Sequence, residues 1–305
     1  MAASPRGPGD DCAVLAGGRT DLCVTTDALV EGVHFTRPHF SLRDIGHKAL
    51  AVNLSDLAAM GATPSWFVCA IAHPAGFPVA ELKQLALGMA ALAKVSGIEL
   101  VGGNFTRASE LSITLTAAGE VPSGRALTRS GARAGDVLFI TGTLGEARLG
   151  LRRLQEGVKQ GPAARRQLRP VPRLEAGRLA LRFARAGIDL SDGLAQDLGH
   201  LCLASGVGAQ VELARLPVGA EVKRAFPDPL QRGQFALAGG EDYELLLAVP
   251  PRRAAAFRTA CKRAQIAVTA VGEVVSGRQI VVLSPGGEAL SLPPGYDHFP
   301  SDRAG

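Results

Sequence analysis

The chain has 305 residues, a formal net charge of +5 and 47% hydrophobic residues. This length and apolar content are sufficient for a full hydrophobic core, which we expect to be divided between two domains. Glycine is abundant at 37 residues and aromatic residues make up only 5% of the chain. That combination favours an α/β enzyme and argues against a nucleic-acid binder that stacks bases on aromatic rings.

The cysteine pattern and the chain start indicate the compartment. The five cysteines are far apart and form no C-x-x-C pair, which argues against a disulfide framework or a zinc site. Residues 1–8 lack the apolar core of a signal peptide, and no apolar run approaches a membrane span. We therefore expect a soluble, cytoplasmic protein with reduced thiols and no membrane partner.

The first half of the chain alternates predicted strands with helices. An apolar run interrupted by Asp56 predicts a helix over 43–60, and helically spaced apolar residues predict a second helix over 80–95. Alternating or continuous apolar residues predict strands at 21–27, 65–73, 98–101 and 111–115. We expect the strand at 21–27 to end in Thr25, Thr26 and Asp27, and the strand at 98–101 to run into a glycine turn.

Carboxylates recur in this half at positions that suit a cation. Asp10 and Asp11 are adjacent acids in a turn, and Asp27 follows two threonines, so these oxygens could bind a hard cation such as Mg²⁺ or cap a turn. Asp56 lies in an apolar helix, where an unpaired carboxylate is costly. A cation and a hydrogen-bonded structural role are both open for it.

Two further features of the first half have open interpretations. Gly102 and Gly103 precede Asn104, and paired glycines let the backbone approach a phosphate closely or simply form an ordinary turn. His34 lies in a predicted loop, where a lone histidine is usually a surface or packed residue.

The second half opens after a domain boundary that we place between residues 1–132 and 133–305. A strand at 137–141 leads through a glycine-rich turn into a helix, and further strands are expected at 209–213, 243–249, 267–272 and 279–283. Asp189 and Asp192 lie three residues apart at a strand-to-helix junction, where they could face one cavity or where Ser191 or Asp192 could cap the helix. Glu241 follows a glycine pair in a similar turn.

Residues 148–185 form a strongly basic stretch. It contains eleven arginines and lysines opposed by Glu156 and Glu175. Such runs are mostly solvated helix faces, with anion or RNA contact as the minority interpretation. Because aromatic residues are not interleaved with the cations, we expect no nucleic-acid partner, and we expect Arg→Glu changes at Arg165 and Arg166 to leave the activity intact.

The acidic turns together indicate phosphoryl transfer. The chain contains no G-x-x-x-x-G-K-[ST] loop, no G-x-G-x-x-G fingerprint and no G-x-S-x-G elbow. It carries more acids at strand ends than one general acid–base pair needs, which favours several Mg²⁺ ions that neutralise a polyphosphate. Phosphoryl transfer depends mainly on positioning and charge neutralisation.

A set of motifs resembles those of the thiamine-monophosphate kinases over roughly residues 9 to 299. The motifs, in chain order, are GDDCAVL, TTDALVEGVHF, KALAVNLSDLAAMGA, GGNFTR, ALTRSGA, DLSDGL, GGEDYEL and GYDHF. DLSDG alone is shared with aminoimidazole ribonucleotide synthetase and selenophosphate synthetase. The resemblance implies the two-domain α/β (α+β) aminoimidazole ribonucleotide synthetase-like fold, in which the N-terminal sheet forms a barrel with its twin in a homodimer and ATP binds between the halves.

The resemblance also implies roles for individual residues. It implies Mg²⁺ ligands at Asp11, Thr25, Thr26, Asp27, Asp56, Asn104, Asp189 and Asp192. It implies ATP contacts at Gly103, Asn104, Arg129 and Ser191, and thiamine phosphate contacts at His34, Glu241 and Tyr296. The implied reaction is direct in-line transfer of the γ-phosphoryl group of ATP to the substrate's phosphate, with no covalent or general-base residue.

Two departures from the family pattern qualify this resemblance. The family's glycine turn reads GGD-T-T, whereas this chain has Asn104 and Phe105, so one negative charge is missing and weaker Mg²⁺ binding is expected. Family members also usually carry a helical segment before the GDD turn, whereas eight residues precede it here. The alternatives are a nucleotide-binding homologue without turnover and a fold relative that acts on another small phosphorylated metabolite.

Overall fold

The structure, a computed structural model, describes residues 9–290 and contains one sheet in each half of the chain. The first sheet has five strands in the order β1-β2-β5-β3-β4, and only the β3–β4 pair is parallel. Its strands are β1 (Ala13–Leu15), β2 (Thr20–Val30), β3 (Thr63–His73), β4 (Glu99–Arg107) and β5 (Ser112–Pro122). Two helices accompany it, α1 (Leu42–Ala59) and α2 (Val79–Ser96).

Helix α1 lies at the centre of the molecule. Ser41 caps it by accepting a hydrogen bond from the backbone N–H of Asp44 at 3.2 Å, which satisfies one of the unpaired donors of its first turn. Most of its residues are buried, including Leu50, Leu54 and Leu57. They share one core with the inward face of β5, whose alternate residues are buried. The apolar run that predicted this helix therefore reflects burial on nearly all sides.

Three predicted strand ends of the first half are wrong, and one of them is that of the strand predicted at 111–115, which continues as β5 to Pro122. Strand β2 continues through Asp27 to Val30, because each of its residues from Thr20 onward pairs with β5. The glycine pair lies inside β4 rather than in a turn, and Gly103 pairs with Cys69 of β3. A Cβ atom at Gly103 would lie 2.1 Å from the carbonyl oxygen of Cys69. Glycine here permits a close approach of two strands.

The second sheet has seven strands in the order β12-β11-β8-β10-β6-β9-β7. Its strands are β6 (Val137–Thr141), β7 (Ala186–Asp189), β8 (Gly208–Glu212), β9 (Leu245–Val249), β10 (Val268–Val275), β11 (Ile280–Leu283) and β12 (Ala289–Leu290). The helices of this half are α3 (Glu146–Gln155), α4 (Pro162–Leu168), α5 (Leu174–Ala180), α6 (Leu194–Ser205), α7 (Ala220–Ala225), α8 (Pro229–Leu237) and α9 (Pro251–Arg263). Every residue of β9 is buried, as its continuous apolar sequence predicts.

Most cations of the basic stretch are exposed, as expected for a solvated face, but several of them form ion pairs with acids of other segments. Arg166 and Arg173 both form ion pairs with Glu244, whose side chain is fully buried. Arg169 pairs with Asp44 of α1 at 2.5 Å, and other cations of the stretch also find acids in distant segments. The stretch therefore connects α3–α5 to both halves of the protein. No helix within residues 9–290 combines the length and apolarity that a membrane crossing requires.

Candidate active site

A cavity of about 920 Å³ lies between the two halves of the chain. Most of the site residues that the motifs predict lie in its lining. Its lining includes Asp10, Asp11, Thr25, Thr26, Asp27, His34, Asp56, Arg129, Asp189, Ser191, Asp192 and Glu241. Tyr296 lies outside the described residues. The carboxylates arrive from β2, α1, β7 and the turn before β1, so the two sheets must pack together before the site exists.

Three carboxylates form the densest cluster in the cavity. One oxygen from each of Asp11, Asp56 and Asp189 lies within 4.8 Å of the others. Thr25 donates to Asp56 at 2.5 Å, and Ser55 donates to Asp189 at 2.6 Å across the boundary between the halves. The Oδ2 atom of Asp11 is buried and accepts no hydrogen bond from any described residue. An oxygen of this kind is available as a metal ligand.

The pKa values of this cluster show that it is short of positive charge. Burial raises the pKa of Asp11 to about 6 and that of Asp189 to about 8. Burial and the neighbouring Asp189 raise the pKa of Asp56 well above its usual value, and burial and Asp192 raise that of Asp27. Like charges in a low-dielectric site resist ionisation together. A divalent cation offsets this repulsion, and the all-oxygen donor set suits Mg²⁺.

Arg129 supplies a cation next to the cluster. Its guanidinium donates to Oδ1 of Asp11 at 2.5 Å, and its backbone N–H donates to Asp10 at 2.8 Å. It lines the same cavity. Arg129 therefore fixes the turn that carries the two adjacent acids, and it offers a charged donor to an anion in the cavity.

Two acidic turns of the second half dock directly onto each other. The N–H of Glu241 donates to the carbonyl of Ser191 at 2.7 Å, and the N–H of Tyr243 donates to that of Leu190 at 2.9 Å. A Cβ atom at Gly240 would lie 2.8 Å from the oxygen of Ser191, so the glycine allows this contact. Glu241 itself has φ +65°, a strained value for a residue with a side chain. The docked turns place Glu241 and Asp192 on one cavity wall.

Side-chain capping of α6 by Ser191 or Asp192 is not seen in the described residues. Gly193 is the N-cap residue and no side chain caps it. Asp197, in the first turn, instead accepts the backbone N–H groups of Asp192 and Gly193 at 3.2 and 3.1 Å. The side chain of Asp192 is therefore directed to other contacts, including one from Gln196 at 2.9 Å.

The sequence interpretation missed two residues of the cavity lining, Gln167 and Arg148, and the buried Lys48 next to them. Lys48 of α1 contacts Glu241 at 2.5 Å, and Gln167 of α4 donates to the other oxygen of Glu241 at 2.5 Å. Arg148 of α3 lines the cavity with its guanidinium carbon 4.7 Å from the centre of the Phe235 ring. Lys48 could have been noticed as a charge inside an apolar helical run. Gln167 and Arg148 are hidden within the basic stretch.

Gly103 and Asn104 are separated from this cavity within the chain. Gly103 aligns across the sheet with Cys69, Leu115 and Asp27. It therefore lies three strand spacings, about 14 Å, from the strand that carries Asp27. Neither Gly103 nor Asn104 lines the cavity among residues 9–290. Their assignment to ATP and Mg²⁺ stays a prediction.

The two halves match the two family models of AIR synthase related proteins. Residues 9–121 match the N-terminal domain and residues 133–284 match the C-terminal domain. The chain is 41% identical to the thiamine-monophosphate kinase of Escherichia coli (strain K12), an alignment that covers 96% of this chain and 91% of that protein. Solved structures with a similar fold include the following two. The thiamine-monophosphate kinase from Stenotrophomonas maltophilia K279a gives a TM-score of 0.83 at 37% identity and covers 93% and 92% of the two chains. A structure described as AaThiL complexed with AMPPCP and TMP gives a TM-score of 0.85 at 32% identity and covers 95% and 91%.

Proposed function

The chain belongs to the thiamine-monophosphate kinase family of AIR synthase related proteins, and we propose that it transfers the γ-phosphoryl group of ATP to thiamine monophosphate. The products are ADP and thiamine diphosphate. The observation that carries the proposal is the convergence of Asp11, Asp27, Asp56, Asp189 and Asp192 on one cavity between the two halves. Family membership alone gives the activity class, and this convergence supplies a site that fits it.

The chain's residues hold and orient two anions in this proposal. Several Mg²⁺ ions, held by the acid cluster with Thr25 and Thr26, would neutralise the charges of the two phosphate groups that must approach each other. Arg129 and Arg148, both in the cavity lining, offer cationic donors to phosphate oxygens. The acceptor phosphate is already ionised near neutral pH, so no general base is required. The transfer is direct and in-line, with no phosphoenzyme.

We also propose that the protein acts as a homodimer through strand β4. Every residue of β4 is exposed, including Leu100, Val101 and Phe105, whose exposed fractions are 59%, 60% and 65%. An edge strand with apolar side chains is a ready site for pairing with another chain. A second copy at this edge would bury these side chains and place Gly103 and Asn104 in the interface. There they could contribute to an active site of the dimer, although they lie away from the cavity of their own chain. A cytoplasmic location is consistent with the free, buried cysteines of the described residues.

The proposal is tested by removing one central carboxylate. Asp56→Asn should lower the rate of ADP and thiamine diphosphate formation by at least about 100-fold, because charge-stabilising groups of this kind contribute several kcal/mol to the transition state. Asp228→Asn is the matched control, since Asp228 caps α8 by accepting the N–H of Gln231 and does not line the cavity. Equal activity of the two variants would contradict the assigned site.

A further inference from the structure

Lys48 is a buried cation that the phosphoryl-transfer chemistry does not use. Its residue is only 1% exposed, within the apolar run of α1. Its ammonium group lies 5.4 Å from the centre of the Phe40 ring and 2.5 Å from Oε1 of Glu241. Lysine is rarely buried without a partner, and burying a charge is unfavourable unless it is paired. Glu241 is therefore the charged partner that makes the buried position of Lys48 tolerable.

Glu241 is held from two sides. Lys48 of α1 contacts one carboxylate oxygen, and Gln167 of α4 donates to the other at 2.5 Å. Burial would raise the pKa of Glu241, but the charge of Lys48 and the hydrogen bond from Gln167 outweigh burial and lower it below its usual value. An ionised carboxylate accepts up to about four hydrogen bonds. The contacts with Lys48 and Gln167 use two of them, so the carboxylate can still accept a hydrogen bond from a ligand.

Apolar side chains line the cavity into which Glu241 opens. Phe35, Phe40 and Leu151 are part of its lining, and the side chain of Glu241 is 30% exposed. The ammonium group of Lys48, the partner of Glu241, lies over the ring of Phe40. Aromatic and aliphatic side chains in the same cavity as an ionised acceptor suit a flat heteroaromatic ring that carries a positive charge or an N–H donor.

We propose that Lys48 and Gln167 are positioning residues that hold Glu241 as a fixed acceptor for the cationic or N–H-bearing rings of the substrate. They thereby set the affinity for thiamine monophosphate without acting on the phosphoryl groups. The inference rests on the proposed function and adds two residues that support its substrate site from α1 and α4.

The test is a kinetic double-mutant cycle on the full chain. Lys48→Met removes the charge and keeps the side-chain length. It should raise KM for thiamine monophosphate about tenfold, because the carboxylate of Glu241 loses its charged partner, while kcat and KM for ATP change less than about twofold. In a Glu241→Gln background the same change should alter KM for thiamine monophosphate less than about twofold, because both act through one contact. Lys262→Met, on the exposed side of α9, is the matched control.

Several outcomes would overturn the inference. An equal rise in KM for ATP, a fall in kcat alone, or a full tenfold effect of Lys48→Met in the Glu241→Gln background would show that Lys48 does not act through Glu241. If Lys48→Met does not fold, Gln167→Leu removes the second donor and must give the same selective rise in KM. If the wild-type protein is active but Lys48→Met has the same KM for thiamine monophosphate as the Lys262→Met control, this inference is refuted and the proposed function is not. Wild-type protein without turnover refutes the proposed function and this inference with it.

Discussion

The acid cluster should make the metal-free protein less stable as the pH rises. In the folded protein the pKa of Asp189 is raised from 3.8 to about 8 by burial, and that of Asp11 is raised to about 6. Between the unfolded and folded pKa values, the folded protein keeps protons that the unfolded chain has released. Stability from these groups is therefore fully present only below the unfolded pKa of 3.8, and it is lost as the pH rises from there through the folded pKa values.

The part of the loss that comes from these two groups follows from their pKa values. Between about pH 5.5 and about pH 8 the linkage relation gives a loss of about 3 kcal/mol for Asp189 and about 1 kcal/mol for Asp11. A total of about 4 kcal/mol is a large share of the roughly 5–15 kcal/mol that stabilises a typical protein. For a chain of this size it corresponds to a fall in Tm on the order of 8 °C.

The assay is thermal unfolding of EDTA-treated protein across this pH range, with Asp189→Asn as the comparison. The variant keeps an acceptor for Ser55 but cannot ionise, so its Tm should fall less than the wild-type Tm, by the share that belongs to Asp189. Saturating Mg²⁺ should raise the Tm of the wild type more at about pH 8 than at about pH 5.5, because the ion stabilises the ionised cluster. Parallel pH profiles for wild type and Asp189→Asn, with no pH dependence of the Mg²⁺ effect, would refute this reasoning.

Other predictions concern the metal requirement and the basic stretch. Asn104→Asp should lower the Mg²⁺ concentration needed for half-maximal rate, because it adds a carboxylate, and an unchanged requirement in a Mg²⁺ titration would contradict the assignment of Asn104. Glu244→Gln leaves Arg166 and Arg173 without their shared anion, so urea denaturation should show a loss of about 3 kcal/mol. An unchanged midpoint would rule out a stabilising role for the pairs. Arg165→Glu, at an exposed position, should leave Tm and activity unchanged. Arg166→Glu, which places two carboxylates together, should lower Tm, and equal Tm values for these two variants would contradict the described contacts.

Much of the local structure follows from the sequence because it depends on neighbouring residues. The apolar run of α1 and the β-type run at Val137–Thr141 predict elements that the structure contains with nearly the same bounds. The acidic motifs also predict a common site, and Asp11, Asp56 and Asp189 do meet in one cavity. Acids at strand ends and turns are costly unless they are solvated or share a ligand, so their residue type alone carries this information.

The features that the sequence does not predict depend on distant partners. The end of β2 is set by pairing with β5, about 90 residues away, and not by its own Thr25-Thr26-Asp27 segment. The half-buried position of Arg166 depends on Glu244, a buried partner 78 residues further along the chain. Lys48 and Glu241 lie on opposite sides of the domain boundary. Charge composition does not distinguish a solvated arginine from one that reaches a buried carboxylate, because the pair forms only after the halves pack together.

The most direct test of the account is phosphorus NMR of the purified protein with ATP, Mg²⁺ and thiamine monophosphate. Thiamine diphosphate and ADP should appear in equal amounts, and neither should form when Mg²⁺ is removed. ATP that remains intact, or that is hydrolysed to ADP and inorganic phosphate while thiamine monophosphate is unchanged, would contradict the assignment of the cavity between the two halves as a phosphoryl-transfer site.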